Sequence, residues 1–375
     1  PDGPWKFNFL NYELERGGRG AGITENIVSL LSTALEIAEQ ISGNAGAGRE
    51  EGQYWELTKR QICRNTVDVL ILARGKVSIP DLYEFIVTAP TSVEEIAKKS
   101  WQDRSFCYRC ILEAEQRATT PRQRRDFNLA VTYFFDDFAR LSDKTRSIVV
   151  STVTSMVDML NRGIGRDLLC SETNITPEAM EKGHIIFAGL PVVEYGPLGR
   201  LVQGILRHSF QLGIQRRNVR QSPRPVFFFA DEFQEFVTSH DRLFQSTCRS
   251  ARVASVYLSQ NVPNIVAALG GNQKGQAECD ALFGNLNLKV FHANSDPTTN
   301  NYASQLIGQT KQLLMNTNSG HAPDDWTSLV LGMGSSQASG GFSETYYHEV
   351  PPTVFSSLCT GGERNGGVIE AIVFR

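Results

Sequence analysis

Two hydrophobic patterns divide the chain. From about Thr24 to Asn161 apolar residues recur at helical spacing, and from Ile164 they gather into short unbroken runs separated by helical stretches. In the first region Ile27, Leu30, Leu31, Ala34, Leu35, Ile37 and Ala38 share one face behind a Thr24 or Asn26 cap. Further helices are predicted from Tyr54 to Ala73, from Ser78 to before Pro90, from Thr91-Ser92, from Trp101 to Arg117, and from Phe127 to Leu160 with a break near Ser142. Strand signals are missing between them, which predicts an all-α subdomain over 24–163. Residues 1–23 are read as a short aromatic-rich strand and a glycine-rich connection.

The second pattern predicts strands at His184–Pro191, Val226–Ala230, Ala254–Leu258 and Leu288–His292. The intervening helices are Leu198–Arg217, Arg242–Arg252 and Pro297–Ile307. This alternation is that of an α/β fold with helices on both faces of a parallel sheet over 164–375. Gly332–Gly341 is Gly/Ser-rich and expected to be mobile, and Val368–Phe374 is expected to return as an edge strand.

Composition narrows the class. The 375 residues are 41% hydrophobic and 21% charged, ordinary for a globular protein, and no apolar run is long enough for a membrane helix. The seven cysteines, irregularly spaced, suit a reducing compartment, hence the cytoplasm. A net charge of −3 leaves nucleic-acid contact to local patches. The sequence starts at Pro1 and is expected to be a piece of a longer chain.

The candidate chemistry centres on PVFFFADEFQEF, Pro225 to Phe236. Val226–Phe229 reads as a strand buried on both faces of a parallel sheet, ending in Asp231 and Glu232. Adjacent carboxylates at a strand's carboxyl end suit a metal-bound nucleotide, with Asp231 holding Mg²⁺ and Glu232 polarising the attacking water. A buried strand ending in an exposed acidic turn fits the same residues. Gln260 ends the next strand, in place to sense a γ-phosphate, and Arg249 and Arg252 lie on the helix between. Arg117, Arg122, Arg124 and Arg125 surround Pro121 in a stretch read as an interhelical loop, either a solvated turn or a phosphate-contacting patch. Cys107 and Cys110 form a CxxC inside a helical pattern and are read as core or surface thiols. GRGAGIT has no lysine before Thr24, and Lys274 is followed by Gly275, so no complete phosphate-binding loop is present.

PVFFFADEF, TCRSARVASVYLSQNVPNI and GNLNLKVFHANSDPTTNNYASQLIG closely resemble the carboxyl-terminal half of the conjugative coupling proteins of type IV secretion. These are DNA-translocating ATPases of the FtsK/HerA branch. The resemblance implies a RecA-like P-loop NTPase sheet interrupted by an all-α subdomain, with 1–23 and 164–375 as parts of one nucleotide-binding domain, assembled as a homohexamer that uses ATP and Mg²⁺. It makes Asp231 the Walker B magnesium ligand, Glu232 the catalytic base, Gln260 the glutamine of the following motif and Arg249 an arginine acting in trans. It implies DNA, a relaxase or relaxosome and the type IV secretion channel proteins as partners, at the cytoplasmic side of the bacterial inner membrane. The family's Walker A segment is missing from these residues, so the chain alone is expected to hydrolyse ATP poorly or not at all. The pilus-assembly and secretion ATPases of the same systems share the DE and Gln motifs, and a non-catalytic substrate-recruiting adaptor is the alternative from another class.

Overall fold

The computed structural model describes residues 3–41, 49–321 and 336–375. The chain opens with a helix, α1 (Phe9–Glu15), where the sequence predicts a strand. The Asn8 side chain accepts from the Asn11 N–H and so caps the helix, while Phe9, Leu10 and Tyr12 are buried. Then come α2 (Thr24–Ile41), α3 (Arg49–Arg74), α4 (Ile79–Val87), α5 (Val93–Ile96), α6 (Lys99–Gln102) and α7 (Phe106–Arg117). α8 (Pro121–Thr132) runs into a π-helical stretch (Tyr133–Phe138), and α9 (Asp143–Asp158) and α10 (Gly163–Leu169) follow. Ser78, Ser92, Ser105, Thr120 and Ser142 each cap the helix they precede, their side chains accepting an exposed backbone N–H.

α11 (Glu178–Glu181) and α12 (Val192–Gln215) come next, α12 bending at Gly196 (φ 50°) before Pro197. The strand expected at His184–Pro191 does not form. That stretch has no ladder partner among the described residues and leaves Ile185 (98% exposed) and Phe187 (91%) open. Beyond it lie β1 (Val226–Ala230), α13 (Ser239–Thr247), β2 (Val253–Tyr257), α14 (Val262–Ala268), α15 (Gln273–Gly284) and β3 (Lys289–His292). The chain closes with α16 (Pro297–Ile307), β4 (Gln309–His321), β5 (Ser336–His348), α17 (Pro352–Ser357) and β6 (Ala371–Phe374).

Helix and strand are mixed as expected, but the sheets are small. Among the described residues β1 pairs only with β2, in parallel, and β3 pairs antiparallel with β6 and β4 antiparallel with β5. β1 is accordingly not buried on both faces. Phe228 packs against Phe244 of α13 (ring centroids 5.8 Å), whereas Phe227 and Phe229 are 57% and 72% exposed on the other side. Of the Gly/Ser-rich stretch, 332–335 lies outside the described residues, and 336–341 pairs as part of β5.

The chain divides into two compact units, residues 1–259 with 265–285, and residues 260–264 with 286–375. In the first, a large apolar core reaches from Phe7 and Leu10 through Ile27, Leu31, Ile62, Leu70, Phe85 and Phe134 to Leu201, and a smaller cluster joins Ile214, Val226, Phe244 and Val253. Cys107 and Cys110 are buried in the large core, and burial pushes both thiols up, Cys110 to about 11. In the second unit Phe291 of β3 meets Phe355 of α17 edge-on at 5.8 Å, and the Ser304 hydroxyl of α16 donates to the Val350 carbonyl at 2.6 Å.

Candidate functional site

β1 and β2 end side by side, and the acids sit on that end. The Leu258 N–H donates to the Ala230 carbonyl at 2.9 Å, and the Phe233 N–H donates to the Leu258 carbonyl at 2.8 Å. Between them the chain must reverse its course, and it does so at Glu232, whose φ of 49° and ψ of 45° are left-handed, a region side-chain-bearing residues seldom occupy. The surroundings hold this conformation. The Glu232 N–H donates to Asp231 Oδ1 at 3.0 Å. The Gln234 amide donates to the Glu232 carboxylate, and Gln234 Oε1 in turn accepts from the Ser259 hydroxyl at 2.7 Å. Asp231 and Glu232 are both exposed.

Beneath the acids lies an aromatic floor. The Phe233 and Tyr257 rings stack with centroids 4.0 Å apart and planes 4° from parallel. Burial pushes the Tyr257 hydroxyl up to about 12, and that hydroxyl accepts from the Gln245 amide at 2.7 Å. Arg207 of α12 lies over Phe233 and Phe236, 5.3 Å and 5.2 Å from the ring centroids. Its guanidinium meets Asp241 Oδ1 at 2.6 Å and donates to the Phe236 carbonyl at 2.5 Å. Asp241 Oδ2 takes the Thr238 N–H at 2.8 Å, closing the cap of α13. Nothing in the local sequence pattern singles out Arg207, whose partners come from distant elements, while Asp241 carries one local signal, the capping box it forms with Thr238. Gln234 does carry a signal, standing two residues beyond Glu232 in a tight turn.

The arginines do not share this end of the ladder. Val226 is level with Val253 and Ala230 with Tyr257, so Arg249, exposed in the 3₁₀ turn Cys248–Ala251 ahead of β2, lies at the strands' opposite end. Five residues of strand put about 16 Å between the two ends. Within one chain, Arg249 and Arg252 therefore lie apart from the acids. Arg252 has a local role, with φ 50°, its carbonyl accepting from the Val226 N–H at 3.1 Å and its Nη1 donating to the Pro223 carbonyl at 3.0 Å. Gln260 lies just beyond the end of β2 and belongs to the second unit, where its carbonyl accepts from Asn294 Nδ2 at 2.8 Å.

The basic patch is helical and not a loop. Arg117 ends α7, and Arg122, Arg124 and Arg125 lie in the first turns of α8, all four exposed. Thr120 and Gln123 form a capping box, and Pro121, whose missing N–H costs nothing in a first turn, starts the helix directly behind the cap. Arg124 Nε donates to the Ala118 carbonyl at 3.1 Å, so this side chain also braces the corner between the helices.

Among the described residues no group of three or more His, Cys, Asp or Glu side chains could hold a metal ion, and no helix is long and apolar enough to cross a membrane. Asp231 nonetheless suits Mg²⁺, which is commonly held by one or two carboxylates together with water and substrate phosphate. The residue is exposed, and its Oδ2 has no hydrogen-bond partner among the described residues.

The fold is similar to that of the plasmid coupling protein TrwB. Against TrwB in complex with the non-hydrolysable GTP analogue GDPNP the TM-score is 0.55 at 14% identity, and the match covers 99% of this chain and 71% of that one. Against the unbound monoclinic form of TrwB the TM-score is 0.52 at 13% identity, covering 95% of this chain and 66% of that one. The trigonal form with sulphate gives 0.53 at 13% identity, covering 99% and 71%. The chain thus spans about two thirds of the length of these structures. Residues 225–348 match the model of the family described as the TraM recognition site of TraD and TraG, which bears out the resemblance to the conjugative coupling proteins. No curated protein matches the sequence.

Proposed function

We propose that this chain is the hydrolytic and substrate-coupling part of a motor that uses ATP to move DNA during conjugative transfer. The observation that carries the reading is the pair Asp231 and Glu232 at the carboxyl end of β1, beside the parallel β2, with Glu232 held in a left-handed conformation. Strained backbone persists where its surroundings over-determine it, and it concentrates at functional sites. Asp231 would hold Mg²⁺, which when bound neutralises charge on the phosphate oxygens. Glu232, kept in place by Gln234, would accept a proton from the attacking water. Gln260 would sense the γ-phosphate.

The position of Arg249 at the far end of the strands supports a role on a neighbouring subunit's nucleotide, where a guanidinium would stabilise the charge of phosphoryl transfer. That role needs an oligomer, for which we propose a homohexamer. The helical region 24–163, with Arg117, Arg122, Arg124 and Arg125 outward, would meet the DNA backbone. The other partners we propose are a relaxase or relaxosome and the type IV secretion channel, at the cytoplasmic side of the bacterial inner membrane. The test is DNA-stimulated ATP turnover in an assembly that supplies a phosphate-binding loop, measured while Arg249→Ala subunits are mixed into unaltered ones. Turnover is expected to fall out of proportion to the altered fraction. A strictly linear loss removes Arg249 from the neighbouring site, and turnover indifferent to DNA removes the motor.

A further inference from the structure

A recess of about 330 Å³ opens in the first unit between α1, the α3–α4 connection and the end of α10, away from β1 and β2 in the chain and lined by different residues. Gly75, with φ of 67°, ends α3 and turns the chain so that Lys76, Ser78 and Asp81 border it. Asn8 and Asn11 line it from α1, and Arg166 and Ser171 from α10 and the residues after it.

Its charges are unevenly matched. The Asp81 carboxylate is engaged, accepting from the Ser78 hydroxyl at 2.8 Å and lying 3.7 Å from the Arg74 guanidinium. Lys76 and Arg166 have neither an ion-pair partner nor a side-chain hydrogen bond among the described residues. A further polar atom is unmatched: Asn11 Oδ1 is buried with no hydrogen-bond partner among the described residues. Buried acceptors without donors are uncommon, and each calls for an explanation.

We propose that this recess binds a small organic phosphate, a phosphate monoester that also carries a hydroxyl group. A monoester bears close to two negative charges at neutral pH, matching the two unpaired cations. Arg166 would meet its oxygens through paired N–H donors and Lys76 as a point charge. The ester's hydroxyl would donate to Asn11 Oδ1, and the recess is of a size that encloses small ligands. The site does not depend on the hydrolytic reading and would make the helical region responsive to a phosphorylated metabolite.

The experiment is calorimetric titration of the 375-residue chain with glycerol 3-phosphate, inorganic phosphate and glycerol. Glycerol 3-phosphate is expected to bind, inorganic phosphate to bind more weakly and glycerol not at all. Lys76→Gln and Arg166→Gln should each weaken the ester by about tenfold or more. Asn11→Ala should weaken the ester while leaving inorganic phosphate unchanged, and Asp231→Asn should alter neither. Circular dichroism melts of each variant establish that it is folded. Failure of both phosphates to bind at millimolar concentration, or binding unmoved by Arg166→Gln in a folded variant, overturns the proposal. So does binding that appears only with Mg²⁺ and is abolished by Asp231→Asn, which would place the phosphate at the acids.

Discussion

Asp241 is fully buried, and its carboxylate answers the guanidinium of Arg207, which is itself largely shielded from water beside Phe233 and Phe236. Removing one member of such a pair strands the other without water, at a cost of about 3–5 kcal/mol. Asp241→Ala is therefore expected to lower the unfolding free energy measured in urea by that much and to loosen the floor beneath the acids, and a change under about 1 kcal/mol would contradict the packing described. One residue along α12, His208 lies with its ring 4.7 Å from that of His240, which in turn meets Thr33 Oγ1 at 3.1 Å and Glu36 at 3.4 Å. Burial, His240 and the guanidinium groups of Arg207 and Arg216 push the His208 imidazole down from 6.5 to about 3. The folded state thus refuses a proton that the unfolded chain accepts, so stability is full above pH 6.5 and declines as pH falls toward 3. Denaturation midpoints measured from about pH 7 to pH 5 should fall for the native chain and fall less for His208→Gln, and identical slopes would refute the assignment.

At the scale of elements, α8 offers the basic face best placed for a phosphate backbone. Arg122 and Arg125 are three residues apart on one side of the helix, and Arg124 is tied to the Ala118 carbonyl. Replacing Arg122 and Arg125 by Gln should weaken duplex binding similarly across sequences and reduce the slope of log affinity against log salt by about 0.9 for each phosphate no longer neutralised. An unchanged slope in electrophoretic binding would move the DNA elsewhere. The helical block was legible in the sequence because its signals are local: caps such as Ser78 and Ser92 stand beside the helices they start, and Ile27 to Ala38 repeat at helical spacing. Strands depend on partners that can lie far along the chain, and two stretches escaped the local pattern for that reason. His184–Pro191 has the composition of a strand and no ladder to join, and β4 with β5 forms a long ribbon whose exposed Leu313, Leu314, Phe342, Tyr346 and Tyr347 show no clean inside-outside alternation. The acids were visible for the same local reason as the caps. Ser259, which holds Gln234, and Arg207, which lies over Phe233, are brought to that turn only by folding.

For the whole molecule, the parallel register of β1 and β2 sets what one chain can do by itself: it aligns Asp231 and Glu232 at one end and leaves Arg249 at the other. On the proposed function, a single chain carries both halves of an exchange between neighbours, acids for its own nucleotide and an arginine for the next. Hydrolysis would depend above all on Glu232, whose left-handed backbone and hydrogen bond with Gln234 fix its carboxylate at the strand end, where water would be activated. The most direct test is steady-state ATP turnover of Glu232→Gln in a DNA-stimulated assembly that supplies a phosphate-binding loop, with nucleotide affinity measured in parallel. Turnover is expected to fall by about 10²-fold or more while nucleotide still binds, as for loss of a general base. Equal turnover before and after the substitution would contradict the role given to Glu232.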